Sequence, residues 1–435
     1  MMNIKKQRIN NRNTKTVRID LVNYATKTST TVNDPKYKDR SRKGENCFTR
    51  IRKMPFPHLI LHVLTAQKKS VQNALEDFFG KIGDVTYMSK QSFSEARHNL
   101  TVGAFIELFV MTAKLAYEGY YDTWHGYRLM AIDGIDLALP MNSKLLEHYG
   151  SVGRGNTSST ARGSILYDLL NKVVMDAQIS PIACYERSLA VKHLEALKEV
   201  GQFKKELIIL DRGYASFGLI ETFNKQSVHF LMRVRTKFNS EIDAQTSADS
   251  SVLLKDGKGN TMNVRVVKFQ LPSGETETLI TNILDKRMGI KAFKELYFKR
   301  WNIEIKYDEV KNKLEIENFT GRSVLAIEQD FYATMYLTNI AAVACWEAQT
   351  IADKESKDKD NAYDYHINTN YAVGVLKDRF IKVLLEEDED KRTKKITKII
   401  FLLAKSVSIV RPNRKINRKP TTRKAKFHHN KKSNA

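Results

Sequence analysis

Four side chains around residue 300 have the types and the spacing of a catalytic stripe. Tyr297, Arg300, Glu304 and Lys311 stand at offsets of 0, 3, 7 and 14. On an α-helix, where each residue turns about 100°, they would share a stripe about 60° wide. A carboxylate between an aromatic hydroxyl and two cations suits a site that holds a metal ion and a phosphate. The alternative is a solvated helix face with ordinary ion pairs.

An apolar stripe lies beside the polar one on the same predicted helix. It consists of Phe298, Trp301 and Ile305. Apolar residues at helical spacing usually face a core, so we expect these three side chains to be buried. The pattern predicts a packed helix that displays charged groups at the edge of its buried face.

Two aspartates follow short apolar segments earlier in the chain. Asp133 stands in AIDG before Gly134, and Asp211 stands in LDRGY two positions before Gly213. Carboxylates at the carboxyl ends of neighbouring strands converge on the crevice of an open sheet. Asp136 is the alternative to Asp133, and an aspartate before glycine is also a common turn residue.

Three carboxylates in one pocket would define a metal site. Asp133, Asp211 and Glu304 would repel one another, and Mg²⁺ relieves that repulsion because hard cations prefer oxygen ligands. Two ions about 4 Å apart can activate the attacking oxygen and stabilise the leaving oxygen of an in-line phosphoryl displacement. Arg300 and Lys311 would then contact phosphate. The residues predict phosphoryl transfer with two Mg²⁺ ions, for which Mn²⁺ could substitute.

The predicted elements around these residues are those of an α/β fold. Residues 126–235 have the pattern of three strands, a helix, a strand, a helix and a strand. Residues 236–285 are turn-rich with further strands, and a final helix follows within 286–320. This order predicts a ribonuclease-H-like core, formed by 126–235 and 286–320, with a β-strand insertion at 236–285.

Helical regions are predicted on both sides of that core. Residues 54–125 and 321–410 show apolar residues at helical spacing. The charged stretch at 354–361 is predicted to be a loop. We expect the first region to bind DNA and the second to supply dimer contacts, with a plain helical bundle as the alternative for the first.

The charge of the chain points to a polyanion partner. The 435 residues are 42% hydrophobic, which favours a globular protein, and they carry a formal net charge of +23. The charge favours nucleic acid as the partner, with a generally basic soluble protein as the alternative. Residues 1–53 hold fifteen Lys or Arg against four acids, and residues 411–435 hold ten and no acid. Such ends are typical of disordered arms that follow phosphates, so a basic N-terminal arm and a basic tail are predicted.

The cysteines and the hydropathy indicate the cytoplasm. Cys47, Cys184 and Cys345 are far apart and form no CxxC motif, which favours a reducing compartment. No apolar stretch of about 18 residues predicts a membrane span, and no apolar signal core is recognised near residue 1. No membrane partner is expected.

These motifs together resemble the DDE transposases of the insertion sequence four family. AIDG at 131–134, LDRGY at 210–214 and the set Tyr297, Arg300, Glu304 and Lys311 carry the resemblance. That set matches the family's Y-x2-R-x3-E-x6-K signature at each position. A weaker likeness extends from about residue 48 to 345.

The resemblance implies the role of each site residue. Asp133, Asp211 and Glu304 would be the catalytic metal ligands, and Tyr297, Arg300 and Lys311 would contact DNA. It also implies cut-and-paste movement of a bacterial insertion sequence through a hairpinned DNA end. The partners would be terminal inverted repeats and target DNA, bound by a homodimer in a synaptic complex near the nucleoid.

Two positions depart from the family pattern, and two rival functions remain. Some members carry a second Lys four residues after the catalytic Glu, where this chain has Asp308, so Lys306 or Lys313 would have to replace it. Some members place a Trp of the insertion against a flipped base, for which Phe238 or Phe269 would have to substitute. The rivals are a nuclease with the same core that never joins strands and an inactive DNA-binding relic.

Overall fold

A computed structural model describes residues 17–50, 52–65, 69–84, 87–153, 158–200, 205–255, 259–358 and 363–410. The predicted basic tail at 411–435 and residues 1–16 of the predicted arm lie outside these ranges. The chain divides into two compact units. The described residues of the first unit fall within 17–18, 119–135 and 162–307, and those of the second fall within 19–118, 136–161 and 308–410.

The described residues form both helices and strands. The helices are α1 (Leu21–Asn33), α2 (Pro35–Ser41), α3 (Phe56–Leu64), α4 (Val71–Ile82), α5 (Lys90–His98), α6 (Gly103–Leu115), α7 (Ser143–Tyr149), α8 (Glu186–Val200), α9 (Phe217–Lys225), α10 (Ser240–Asp243), α11 (Ile290–Phe298), α12 (Trp301–Asn312), α13 (Val324–Asp358), α14 (Thr369–Leu384) and α15 (Glu389–Lys405). The strands are β1 (Arg128–Ala138), β2 (Thr160–Asp168), β3 (Val174–Pro181), β4 (Glu206–Leu210), β5 (His229–Val234), β6 (Asp249–Lys255), β7 (Thr261–Gln270), β8 (Thr276–Thr281), β9 (Tyr365–Ile367) and β10 (Val407–Ile409). None of these helices has a stretch apolar enough to cross a lipid bilayer.

Five strands form one side of the main sheet, in the order β3-β2-β1-β4-β5 with β3 at the edge. β1 pairs in parallel with β4, and β4 pairs in parallel with β5. Parallel neighbours need a crossover, and α8 precedes β4 while α9 joins β4 to β5. The connection at 169–173 is too short for a crossover and makes β2 and β3 a hairpin. The predicted α/β fold class, with a ribonuclease-H-like core, is confirmed.

The β insertion continues this sheet instead of forming a separate one. β5 pairs in antiparallel fashion with β8, β8 with β7, and β7 with β6, which brings the sheet to eight strands. The β7–β8 turn contains Gly274, whose positive φ of 87° favours glycine. The sequence therefore predicted strands at 236–285 but not that they pair with β5 and extend the main sheet.

A buried arginine ties the insertion to the helix that follows it. Arg265 on β7 has no exposed surface. Its guanidinium donates to both carboxylate oxygens of Asp249, at 2.8 and 2.6 Å, and to the carbonyls of Asp285 and Met288. It also lies 5.0 Å from the ring centroid of Phe293 on α11. These bonds satisfy a charge that would be costly to bury alone.

The second unit is helical and is organised around α13. This helix is 35 residues long, and α3, α6, α14 and α15 pack against it. Its inward side chains include Tyr336, Ile340 and Ala344, all without exposed surface. Most of the energy that stabilises such helices comes from burying their apolar faces against one another.

The predicted arm at 1–53 is wrong for residues 21–41, which form α1 and α2. Leu21, Tyr24 and Tyr37 are buried in the second unit. Tyr37 donates to the carbonyl of Ala104 at 2.7 Å. The count of basic residues hid an apolar face with helical spacing, because a helix can bury one side while its Lys and Arg side chains remain in water.

Two predictions for the C-terminal part also need correction. The segment 354–361 was expected to be a loop, but α13 continues to Asp358. The segment after 363 was expected to be helical, but Tyr365–Ile367 pairs in antiparallel fashion with Val407–Ile409. Each strand has only three residues, too few for a period-two pattern to stand out in the sequence.

Candidate active site

The two predicted aspartates are brought together by the register of β1 and β4. The parallel pairing sets Ala131 opposite Ile209. Continued by two residues, it brings Asp133 level with Asp211, which directly follows β4. The prediction that Asp133 ends its strand is wrong, because β1 runs on to Ala138. Asp133 instead lies two residues beyond the last pair of β1 with β4.

Both glycines that follow these aspartates donate a backbone hydrogen bond to the aspartate side chain, and Gly134 also leaves space for Glu186. Asp133 Oδ1 accepts a hydrogen bond from the amide of Gly134 at 2.9 Å, and Asp211 Oδ1 accepts from the amide of Gly213 at 2.7 Å. A Cβ at Gly134 would lie 2.8 Å from the Oε1 atom of Glu186. Glycine therefore allows the Glu186 carboxylate to approach the backbone beside Asp133.

Glu186 is a fourth carboxylate that the sequence analysis missed. It lies in the first turn of α8, and its Oε1 atom is 3.4 Å from the Nη1 atom of Arg162. Its charge contributes to raising the pKa of Asp133. Its sequence context, YERS, contains no glycine or apolar run that would have drawn attention to it.

The predicted single helix around Glu304 is interrupted. α11 ends at Phe298 and α12 begins at Trp301, and the amide of Arg300 bonds the carbonyl of Tyr297 in a tight i−3 turn. Tyr297 therefore lies on α11, and Glu304 lies in the first turn of α12. The four signature side chains do not share one continuous helical stripe, so that prediction is wrong.

The predicted burial of Phe298, Trp301 and Ile305 is also wrong. Their exposed fractions are 44%, 48% and 65%. The buried face of α12 carries Ile303 and Val310 instead. Both faces have apolar residues at helical spacing, so the sequence pattern could not show which one meets the sheet.

Arg300 lies between two of the predicted metal ligands. Its Nη2 atom donates to Glu304 Oε1 at 2.8 Å, and its Nη1 atom is 3.7 Å from Asp133 Oδ2. The guanidinium carbon lies 6.0 Å from the ring centroid of Tyr297 and 5.7 Å from that of Trp301. Arg300 thus joins the carboxylates of β1 and α12 and acts as their counter-ion.

Lys311, the last signature residue, is held by partners within the second unit. Its Nζ atom donates to the carbonyl of Asp136 at 2.7 Å and is 3.2 Å from Glu317 Oε1. Glu317 also accepts from the amide of Ala138 at 3.0 Å. Lys306, considered above as a phosphate contact, is buried with its Nζ atom 5.5 Å from the ring centroid of Tyr167.

Burial raises the pKa of Asp133 to about 7. The charges of Asp211 and Glu186 add to the rise, while the Gly134 amide and the Arg300 charge oppose it. Desolvation and like charges both favour the neutral acid. The site therefore holds a carboxylate that ionises less readily than an ordinary aspartate.

This raised pKa predicts a pH-dependent stability in metal-free protein. A carboxyl whose pKa is higher in the folded state stabilises the folded protein relative to the unfolded chain. This stabilisation is complete below the unfolded pKa of 3.8 and is lost as pH rises through the folded pKa of about 7. Asp133→Asn is expected to raise the free energy of unfolding by about 4 kcal/mol at pH 8 and by less than about 1 kcal/mol near pH 4. Urea titrations in EDTA at both pH values measure this difference, and equal effects at the two pH values would contradict it.

The donor chemistry of Asp133, Asp211 and Glu304 fits Mg²⁺, which prefers carboxylate oxygens. Within the described residues, however, no three His, Cys, Asp or Glu side chains are close enough together to hold an ion. Arg300 contacts two of the three carboxylates. Metal binding there would require these side chains to rearrange.

Comparison with known proteins identifies the family of the chain. Residues 124–340, about half of the chain, match the family model described as Transposase DDE domain. The chain belongs to the DDE transposases of the insertion sequence four family. The region matched by the DDE domain contains all three predicted acids and the Tyr297, Arg300 and Lys311 positions.

Curated relatives of this chain are distant in sequence. It is 23% identical over 277 residues to the transposase InsG for insertion sequence element IS4 of Escherichia coli (strain K12), a match covering 59% of this chain and 61% of that protein. It is 24% identical over 150 residues to the putative transposase y4zB of Sinorhizobium fredii (strain NBRC 101917 / NGR234), which covers 31% and 42%. The chain thus spans less than two thirds of the length of these relatives.

A solved structure also resembles the chain. It is the piggyBac transposase synaptic complex with hairpin DNA, with a TM-score of 0.47, 10% sequence identity, and coverage of 86% of this chain and 85% of that one. A likeness of this degree does not bear on function.

Proposed function

We propose that this protein is a DNA transposase that excises and inserts an insertion sequence by metal-dependent phosphodiester hydrolysis and strand transfer. The observation that supports it most is the register of β1 and β4, which pairs Ala131 with Ile209 two residues before Asp133 and Asp211, with Glu304 linked to Asp133 through Arg300. The three predicted acids thus lie in one unit of the fold.

The three acids would hold two Mg²⁺ ions, or Mn²⁺ in their place. The ions would activate the attacking oxygen and stabilise the leaving oxygen of each displacement. Arg300, no longer needed as the counter-ion of the carboxylates, would be available to a phosphate of the cut strand, with Tyr297 beside it. Guanidinium binds phosphate in a bidentate fashion, which orients as well as attracts it.

One reaction type at one site would account for the whole pathway. Water would attack the phosphorus at the element end and release a 3′-hydroxyl. That hydroxyl would attack the opposite strand and displace its 3′-oxygen, which closes a hairpin. Water would then open the hairpin, and the 3′-hydroxyl would join target DNA. Each step exchanges one phosphodiester oxygen for another, so a single carboxylate cluster suffices.

The partners of this function would be double-stranded DNA and a second copy of the chain. Residues 54–125 would contact the terminal inverted repeats, and the basic ends would follow phosphates, with a strong dependence on salt. Residues 321–410 would support the homodimer that pairs two element ends. Light scattering of the DNA-bound complex tests the dimer, and a monomer in that complex would contradict it. The proposed location is the bacterial cytoplasm, at the nucleoid.

Cleavage of a terminal-repeat duplex tests the function directly. The substrate is a labelled duplex from the DNA that flanks this gene, incubated with Mg²⁺ or with EDTA and resolved on a denaturing gel. We expect a nick and a hairpin with Mg²⁺ and neither product with EDTA, because metal removal leaves the oxygens without activation. Mn²⁺ is expected to restore both products.

The other outcomes identify the rival functions. A nick with Mg²⁺ but no hairpin and no joined product would favour a nuclease. Binding without cleavage in either Mg²⁺ or Mn²⁺ would favour an inactive relic and would contradict the proposal.

A further inference from the structure

The peptide between Asp133 and Gly134 is held at both ends. Its carbonyl accepts hydrogen bonds from the Tyr307 hydroxyl and from Ser164 Oγ, the latter at 3.1 Å. Its amide donates to Asp133 Oδ1 at 2.9 Å. A peptide unit is planar and rigid, so groups that hold the carbonyl also fix the direction of the amide. That amide in turn orients the Asp133 carboxylate.

A buried relay stands behind Ser164. Ser164 Oγ lies 2.8 Å from His193 Nε2, and His193 Nδ1 lies 2.6 Å from Asp176 Oδ2. Gln178 donates to the same Asp176 oxygen at 2.8 Å. The relay joins β2, α8 and β3 to the Asp133 peptide on β1. Buried polar chains of this kind are rigid when every member has a partner.

The relay has the residue types of a hydrolytic triad but not its accessibility. Ser164 and His193 have no exposed surface, and the serine oxygen contacts a backbone carbonyl. A nucleophile must reach a substrate atom, which these side chains cannot do. Their geometry suits orientation of a neighbour instead.

Tyr307 connects the same carbonyl to the helix of Glu304. It lies three residues after Glu304 on α12, and its buried hydroxyl also accepts from the amide of Ile165 at 3.2 Å. One hydroxyl therefore joins α12, β2 and the Asp133 peptide. The positions of Asp133 and Glu304 are coupled through it.

We infer that Ser164, His193, Asp176 and Tyr307 are positioning residues that orient the Asp133 carboxylate and set its place relative to Glu304. The inference rests on the proposed function, because it assigns these groups to the metal-binding acids of that site. None of the four touches substrate. Replacing one of them is expected to weaken metal binding and to leave DNA affinity nearly unchanged.

Metal binding by the full chain tests the inference. The metal-free protein is titrated with Mn²⁺, and free Mn²⁺ is measured by electron paramagnetic resonance. The DNA cleavage rate and the DNA affinity of each variant are measured separately. Ser164→Ala and Tyr307→Phe are each expected to raise the Mn²⁺ dissociation constant about 10- to 100-fold, the usual effect of losing a partner behind a metal ligand. DNA affinity is expected to stay within about twofold.

Two variants separate positioning from general stability. Thr281→Val removes another fully buried hydroxyl of the same unit, which donates to the carbonyl of Phe230 at 2.5 Å, and it is expected to leave Mn²⁺ affinity unchanged. Ser164→Thr keeps the hydroxyl and is expected to retain most of that affinity. Circular dichroism melting confirms that each variant is folded.

The outcomes distinguish this inference from the proposed function. If wild type cleaves DNA and both Ser164→Ala and Tyr307→Phe bind Mn²⁺ as wild type does, the inference is wrong and the function stands. An equal loss of affinity in Thr281→Val would also overturn it, because the effect would then be structural. A wild type that neither binds Mn²⁺ nor cleaves DNA would overturn both.

Discussion

Replacement of Asp133 by alanine is expected to lower the rate of DNA cleavage at least about a thousandfold, or about 4 kcal/mol of activation free energy. The carboxylate lies level with Asp211 and within 3.7 Å of Arg300, at the centre of the proposed metal site. Alanine removes one of the three proposed metal ligands. Single-turnover cleavage of the terminal-repeat duplex at saturating Mg²⁺ measures the effect, and gel-shift affinity for the same duplex is expected to stay within about threefold.

Asp136→Ala is the matched control for this variant. Asp136 lies three residues further along the same strand and is exposed, and its carbonyl oxygen is the atom that contacts Lys311. Its loss is expected to leave cleavage within about threefold of wild type. Inactivity of Asp136→Ala with activity of Asp133→Ala would reverse the assignment of the first catalytic acid.

Replacement of Arg97 by alanine is expected to destabilise the protein by about 3–5 kcal/mol, as is typical when one partner of a buried ion pair is removed. Arg97 is 5% exposed and donates to Asp330 Oδ1 at 2.8 Å and to Gln329 Oε1 at 2.7 Å. It also donates to the carbonyl of Ala326 and to Thr320 Oγ1. Without it, the buried carboxylate of Asp330 loses its countercharge. Urea unfolding of the full chain measures the change.

Arg40→Ala is the control for Arg97, because it breaks an exposed ion pair of the same unit. Arg40 pairs with Glu107, and the two side chains are 47% and 37% exposed. Exposed pairs typically contribute less than about 1 kcal/mol. Equal destabilisation by the two variants would show that burial of the Arg97 network does not matter to the fold.

The sequence by itself determined the fold class and the family. Asp133 and Asp211 could be singled out because a short apolar run followed by an acid and a glycine is a local pattern. The order of strands and helices between them then predicted the sheet that brings the two acids level. The signature from Tyr297 to Lys311 was equally visible, because it depends only on spacing.

The tertiary structure decided which faces are buried and what each side chain contacts. The sequence pattern predicted one helix around Glu304 with Trp301 on its buried face. In the structure the helix is interrupted at Arg300, and Ile303 is buried instead. Two apolar faces on one helix are equivalent until a sheet packs against one of them.

Long-range contacts were likewise beyond the sequence. The approach of Glu186 to Gly134, and the bonds of Ser164 and Tyr307 to the Asp133 carbonyl, join residues 31 to 174 positions apart. Nothing in the types of two such residues records their distance, because that distance is set by how strands and helices pack. The sequence therefore indicated the proposed acids of this site, and only the packing of β1, β2, β3, α8 and α12 showed the groups that we infer to orient them.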